Sequence, residues 1–289
     1  MLMEYPTFTL ERENFPDLLS QIPDPPRRLY VKGSIPDENF KFLTVVGSRK
    51  YTNYGKDACE KLICGLRSYP IVIVSGLALG MDAIAHRSAL DTGLLTLAFP
   101  GSGLGDKALY PRSHLGLARE ILDNGGALIS EFEETFIATP YSFPQRNRLM
   151  AAMSHAVLVV EAEEKSGTLI TSKFATEYNR DVLTVPGSIF SSTSAGPHML
   201  IRLGATPVTR SEDIIEQLGL APKSQHSMNF GYDDCSADEK RIIELLKSPL
   251  PRDELITALG MSTGKANTLL SVLEIKGIIT ETMGEIRLK

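Results

Sequence analysis

The chain has 289 residues, 43% hydrophobic and 22% charged, with 30 lysines and arginines against 35 aspartates and glutamates, a formal net charge of -5. That length suits one large α/β domain with a small appendage, and the composition excludes disordered and fibrous classes. The acidic balance excludes a protein that coats nucleic acid by bulk charge, so any such binding falls to a local patch and the position of each arginine matters.

The opening, "FPDLLSQIPDPPRRLYVKGSIP", is rich in proline and predicts an irregular approach over 1–40 with one short strand at 29–32. An alternation then begins. "FLTVV", "IVIVSG", "LLTLAFPG", "ALIS", "HAVLVVEA", "VLTVPG" and "ATPV" read as strands. Between or after them, 53–69, 80–93, 114–125, the stretch from 141, 167–180, 196–204 and 211–219 have helical spacing. Short β-branched runs without polar alternation predict strands buried on both faces, and the intervening helices predict right-handed crossovers. The expected fold over 1–220 is a doubly wound α/β domain with a mainly parallel sheet. The polar stretch 221–236 reads as a linker. Over 237–289, helical patterns at 238–247, 252–259 and 263–276 precede a hairpin turning at Met283-Gly284, the pattern of a winged helix-turn-helix.

Cys59, Cys64 and Cys235 are odd in number and lack CxxC spacing, so neither a disulfide framework nor a zinc site is expected and a reducing cytoplasm is the natural compartment. The start has no basic segment followed by an apolar core, and no apolar run approaches the roughly 20 residues needed to span a bilayer. A cytoplasmic protein without membrane contact is expected.

Ligands of open parallel sheets bind at the carboxyl ends of the strands. Here "VVGSR", "VSGLALG", "FPGSG" and "VPGS" all leave a strand through glycine, which lets backbone N–H groups approach a phosphate. The dinucleotide fingerprint after the first strand and the Walker pattern are both missing, so no tightly held cofactor is expected. "SGLALGMDAIAH" sets Asp82 and His86 four apart on one helical face. Proton chemistry is one reading and local capping and packing the other, and no paired nucleophile accompanies them. His114, His155, His198 and His226 are scattered without metal-ligand spacing.

"YSFPQRNRLMAAMSHAVLVVEA" poses a sharper question. Arg146 and Arg148 flank Asn147 near the mouth of a helix, where the unpaired amides make cations least welcome. Either internal carboxylates neutralise them or a bound anion does. Arg49, directly after a buried strand, has the same two alternatives, with Glu131 or Glu133 as the internal partner. Three arginines and Asn147 at one crest, with Tyr141 and Phe143 beside them, favour a polyanion gripped by phosphate contact and base stacking. Phe143 as a hydrophobic staple is the bland alternative.

The run from "SFPQRNR" through "SGTLITSKFATEYNRDVLTVPGS" to "GPHMLIRLGA" resembles the DNA-processing protein A (DprA/Smf) family. So do "VVGSRKYTNYG", "SGLALGMDAIAH", and "YP" followed by "GGALISE". The resemblance covers most of the chain from about Phe15 onward. It implies an extended Rossmann-like fold, a homodimer, no enzymatic activity and no cofactor. It also implies binding of single-stranded DNA with little sequence preference, protection of incoming DNA, and transfer of the strand to the RecA recombinase in natural transformation. By motif, the strand-binding candidates are Gly47, Ser48 and Arg49, with Phe143, Arg146, Asn147 and Arg148, and then Ser166, Gly167 and Thr168. Many members carry an N-terminal helical domain, which this chain begins too late to hold. Lys265 and Asn267 lie early on the expected recognition helix and Glu274 later, so a protein-contact or weak DNA-binding role suits that segment. One rival is a nucleotide-processing Rossmann-like enzyme similar to the phosphoribohydrolases, with Glu177 as its best catalytic candidate. Another is a winged-helix regulator with a ligand-sensing α/β domain.

Overall fold

The computed structural model of the chain describes residues 5–221, 235–246, 248–282 and 284–288. Two units form, Met1–Pro222 and Lys223–Lys289. The first begins with β1 (Phe8–Glu11), α1 (Asp17–Ser20), β2 (Arg28–Gly33), β3 (Lys41–Val46), α2 (Asn53–Cys64), β4 (Ile71–Ser75), α3 (Met81–Thr92) and β5 (Leu95–Ala98). It continues with α4 (Leu115–Asp123), β6 (Ala127–Ser130), α5 (Ser142–Ala152), β7 (Ala156–Val159) and α6 (Thr168–Glu177). It closes with β8 (Asp181–Thr184), α7 (Ala195–Arg202), β9 (Thr206–Pro207) and α8 (Ser211–Gln217).

The strands form a nine-stranded sheet in the order β1-β2-β6-β5-β4-β3-β7-β8-β9. From β6 to β9 every neighbouring pair is parallel. All five residues of β4 and all four of β7 are buried, as apolar runs without alternation require when helices cover both faces. The period of two sorts their side chains. Val72, Val74, Val157 and Val159 face a core with Leu149 and Met150 of α5 and Leu200 of α7. Ile71, Ile73, Ala156 and Leu158 face the other, with Cys59 and Leu62 of α2, Ile84 of α3 and Ile214 of α8. The chain winds outward from β3 through β4, β5 and β6, then returns to place β7 on the other side of β3. That reversal makes the β3/β7 junction the topological switch point, where a crevice opens at the strand ends.

The opening segment corrects its sequence reading. Instead of an irregular approach with one strand, it supplies two antiparallel strands, β1 pairing Phe8 with Val31 of β2 and β2 pairing Tyr30 with Ser130 of β6. Its prolines at 16, 23, 25 and 26 all fall between those strands, so they mark the connection and leave both ladders intact.

The second unit contains α9 (Ala237–Leu245), β10 (Leu250–Pro251), α10 (Arg252–Leu259), α11 (Thr263–Ile275), β11 (Ile279–Thr282) and β12 (Glu285–Leu288). Three helices and a three-stranded antiparallel sheet, β10-β12-β11, make a winged helix around Ile242, Leu255, Leu270, Leu273 and Ile286. Ser236 and Glu239 form a capping box that fixes the start of α9. The short strand β10 was not expected from the sequence. The linker expected over 221–236 falls mostly outside the described residues, as does Met283 of the expected turn.

His86 of α3 is fully buried, with Nδ1 2.7 Å from Thr96 Oγ1. Because the Thr96 hydroxyl donates to Ile73 O, it accepts from His86 Nδ1–H, and Nε2 has no partner among the described residues. Burial pulls the His86 pKa down to about 3, whereas the unfolded residue titrates near 6.5. Neutral His86 therefore supports the fold above pH of about 6.5. That support is lost at up to about 1.4 kcal/mol per pH unit as pH falls below it. Urea denaturation is expected to show lower stability at pH 5 than at pH 7, and a shallower dependence in His86→Gln.

Candidate nucleic-acid interface

The cation at the helix mouth has an internal explanation. Ser142 opens α5 by donating to Gly101 O at 2.5 Å and accepting from Thr139 N–H at 3.0 Å. Pro144 follows in the first turn, where a missing N–H costs nothing. Arg146 then lies with its side chain buried, 4% exposed, and its Nη1 donates to the carbonyls of Gly76 and Phe99. Those carbonyls end or follow β4 and β5. The guanidinium therefore serves the acceptor-rich edge of the sheet, and the amides of its own helix are not its partners. Asp82 of α3 faces the same turn and accepts from Gly76 N–H at 3.1 Å and Ala78 N–H at 3.4 Å. Burial draws Arg146 down to about 10, opposed by the Asp82 carboxylate, so the guanidinium stays charged at neutral pH. Burial likewise raises the Asp82 carboxyl, opposed first by Arg146. A Cβ on Gly76 would run into both groups.

Arg148 departs further from the expectation of a common cationic crest. Its guanidinium pairs with Glu131 and lies 3.8 Å from Asp24, whose backbone carbonyl also accepts from it at 2.8 Å. The structure does not bring Arg148 to the groove described below. Of the three arginines, only Arg49 is exposed and without an ion pair among the described residues. Its expected alternative partners are taken, Glu131 by Arg148 and Glu133 by the Tyr30 hydroxyl.

An open groove of about 720 Å³ lies at the switch point. One wall is the loop after β3, with Gly47, Ser48, Arg49 and Lys50, and the opposite wall is Ser166, Gly167 and Thr168 at the start of α6. Phe143, Arg146 and Asn147 of α5 also line it. The Arg49 guanidinium stacks over the Phe143 ring at 5.4 Å, a cation–π contact that leaves its N–H fork available to a phosphate. Gly80 makes this position possible. Its φ is 84°, and a Cβ there would press on the Arg49 backbone. Gly101 does the same for Phe143, whose ring occupies the space a side chain would take. Thr168 Oγ1 donates to Gly47 O at 3.1 Å and so ties the two walls. Asn147 Oδ1 accepts from Arg146 Nε at 3.1 Å, which holds its amide at the groove.

Three polar lining residues, Lys50, Thr171 and Glu163, escaped the sequence reading. Lys50 is exposed beside Arg49 and its adjacency in "SRK" was the available signal. Thr171 is fully buried, lines the groove, and its hydroxyl has no hydrogen-bond partner among the described residues. Its signal was the spacing of three from Thr168, which places both hydroxyls on the opening turn of α6. Glu163 adds one acid to the lining.

The remaining candidates lie elsewhere or are engaged locally. Asp82 and His86 point to different partners, the glycine turn and Thr96, which is the capping and packing reading. Glu177 sits at the last residue of α6, about 13 Å along the helix from its start, beside Lys173 at 3.7 Å. His114 bonds Leu77 O, His155 accepts from Phe42 N–H, and His198 bonds Gly187 O. His226 lies outside the described residues. In the winged helix, Lys265 pairs with Asp238 at 2.6 Å, Arg252 with Glu281, and Asn267 accepts from Arg252 at 3.0 Å. No group of three His, Cys, Asp or Glu among the described residues could hold a metal, and no described helix is long and apolar enough to cross a membrane.

Two family models match this chain: DNA recombination-mediator protein A over residues 6–219, and the DprA winged helix domain over 232–285. The protein belongs to the DNA recombination-mediator protein A family. It is 36% identical to Protein Smf of Escherichia coli K12 over 282 residues, 95% of this chain and 75% of that protein. It is 38% identical to DNA processing protein DprA of Streptococcus pneumoniae over 214 residues, 74% of each chain. The X-ray structure of DprA from Streptococcus pneumoniae superposes with a TM-score of 0.68, covering 74% of this chain and 75% of that one. DNA processing protein A from Helicobacter pylori, whose structure was described for its single-stranded DNA binding mode, gives a TM-score of 0.65 at 30% identity, covering 75% of this chain and 98% of that one.

Arg146→Met leaves two strand-end carbonyls without their donor and Asp82 without its nearest cation. The expected loss is about 3 kcal/mol or more of unfolding free energy, read by urea titration, with Arg146→Lys recovering part of it.

Proposed function

We propose that this protein is a non-enzymatic, single-stranded-DNA-binding recombination mediator that protects incoming DNA and loads the RecA recombinase in natural transformation. One observation carries the reading. The groove at the switch point offers an exposed arginine stacked on a half-buried phenylalanine, beside glycine-turn amides and a helix start. Phosphates would be held by Arg49, Lys50 and the backbone around Gly47, Ser48 and Gly167, with the Ser166 and Thr168 hydroxyls beside them and a base stacked near Phe143. Arg146 and Asn147 form the floor and orient that wall. Backbone amides, cations and a ring face read no base edge, in keeping with indifference to sequence. Family membership and the single-strand binding of the Helicobacter pylori relative support the same ligand class. The same proposal includes a cytoplasmic homodimer with RecA as its partner. The internal ion pairs of the winged helix favour a protein contact or weak DNA contact for that unit.

Competition between single- and double-stranded oligonucleotides across a salt series tests the reading. The single strand is expected to win, without hydrolysis of nucleotides. Arg49→Ala should weaken binding for all sequences alike and lower the salt slope by about 0.7. Arg148→Ala should leave that slope unchanged, since its charge is already spent on Glu131 and Asp24. Equal affinity for duplex, or an Arg49→Ala protein that binds as wild type at every salt concentration, would defeat the proposal.

A further inference from the structure

The loop between β8 and α7 carries two large apolar side chains held almost wholly in water, Ile189 at 80% and Phe190 at 94% exposure. The loop is nonetheless tightly built. Tyr54 Oη donates to Pro186 O at 2.6 Å, Gly187 O bonds His198 Nε2 at 3.0 Å, and Phe190 N–H donates to Ser188 Oγ at 3.2 Å. Ser191 N–H donates to Ser188 O at 3.1 Å, and a Cβ on Gly187 would collide with the Ser194 hydroxyl. A ring displayed on an ordered loop is preorganised for contact, because the entropy of ordering it is lost at folding and not at binding.

The loop is also continuous with the groove. Glu161, buried at the end of β7, accepts from Thr52 N–H at 2.9 Å and Thr52 Oγ1 at 2.6 Å on one side, and from Thr193 Oγ1 at 3.0 Å on the other. One carboxylate thus ties the chain just past Arg49 and Lys50 to the chain just past Phe190. Tyr51 and Tyr54, 43% and 54% exposed, follow Lys50 in the chain, and Tyr54 reaches the loop at Pro186 O. Along the chain from the groove, an arginine, a lysine and two tyrosines thus lead into the segment that Tyr54 and Glu161 join to the Phe190 loop. The segment 185–194 contains no acidic residue. Within 185–194 the exposed large apolar side chains are Ile189 and Phe190, set among serines, and a single exposed ring face suits the stacking of a base.

We propose that Phe190, with Ile189 beside it, is a second stacking platform for single-stranded DNA, receiving the strand where it leaves the groove across Lys50, Tyr51 and Tyr54. This rests on the groove reading above and extends it by giving the strand a path. Phe190 lies outside the groove lining, so its substitution leaves the Arg49–Phe143 grip intact.

The test uses oligothymidylates of about 4 and about 16 nucleotides, the range of site sizes for such platforms. Phe190→Ala is expected to weaken the long oligonucleotide about five- to tenfold, at the lower end of the stacking range, and to leave the short one unchanged. The chain contains no tryptophan, so Phe190→Trp creates a single reporter. It is expected to keep wild-type affinity and to lose emission on adding the long oligonucleotide but not the short one. Wild-type affinity of Phe190→Ala for the long strand, together with unquenched Phe190→Trp, overturns the inference. So does a tryptophan signal that follows protein concentration without DNA, which would make the loop a self-association surface. Arg49→Ala separates the two claims. If it weakens both lengths while Phe190→Ala alters neither, the groove stands and the second platform falls. If it weakens neither, the groove reading falls and this inference with it.

Discussion

A guanidinium buried among strand-end carbonyls is the interaction on which the rest of this edge depends. Parallel strands finish with acceptors that no neighbouring strand satisfies, and at β4 and β5 those acceptors are buried. Arg146 supplies the donors from the second turn of α5, and Asp82 supplies the balancing charge while gathering the amides of the Gly76 turn. The arrangement locks α5 against two strands and a loop at once. Phe143, one turn earlier on α5, therefore sits where the Arg49 guanidinium can stack on it. Removing solvent from such a group is costly, and the cost is offset because the carbonyls would otherwise be buried alone.

With that edge fixed, the cations divide by function. Arg146 is part of the frame, Arg148 ties α5 to Glu131 and Asp24, and Arg49 with Lys50 faces the open groove. An acidic chain can thus present a local positive surface without a positive total, because most of its arginines near the edge are already balanced internally. The glycines at 76, 80 and 101 serve the same end by removing side chains where a guanidinium, the Arg49 backbone and an aromatic ring come closest. Glu161 repeats the logic in mirror image, a buried carboxylate holding two loops by their donors.

Several features were readable from local pattern. The unalternating runs at β4 and β7 announced strands covered on both faces, and "VVGSR" and "SGLALG" announced glycine turns at the carboxyl edge. Gly47, Ser48, Arg49, Phe143, Arg146, Asn147, Ser166, Gly167 and Thr168 were all named in advance, and the structure gathers them around one groove. Arg148 was named with them and lies elsewhere. A spacing of two along a helix turns a side chain by roughly 200°, which sends Arg148 toward Glu131 while Arg146 faces the strand ends. Thr171 and Lys50 left only weak signals, a spacing of three from Thr168 and adjacency to Arg49, and what sets them apart, a buried hydroxyl without a partner among the described residues and an exposed cation, depends on the fold.

Periodicity and turn chemistry belong to the sequence, since each depends on residues within a few positions of one another. From them came the doubly wound sheet, the winged helix, the glycine-lined edge and the family resemblance. Tertiary structure alone decided the pairing of β1 with β2 and of β2 with β6, which of the three arginines Arg49, Arg146 and Arg148 stays exposed, and the nearness of the β8 loop to the groove. Each of those depends on contacts between segments tens of residues or more apart. Whether a charge is neutralised is a property of distance in space, and no reading of neighbours along the chain contains it.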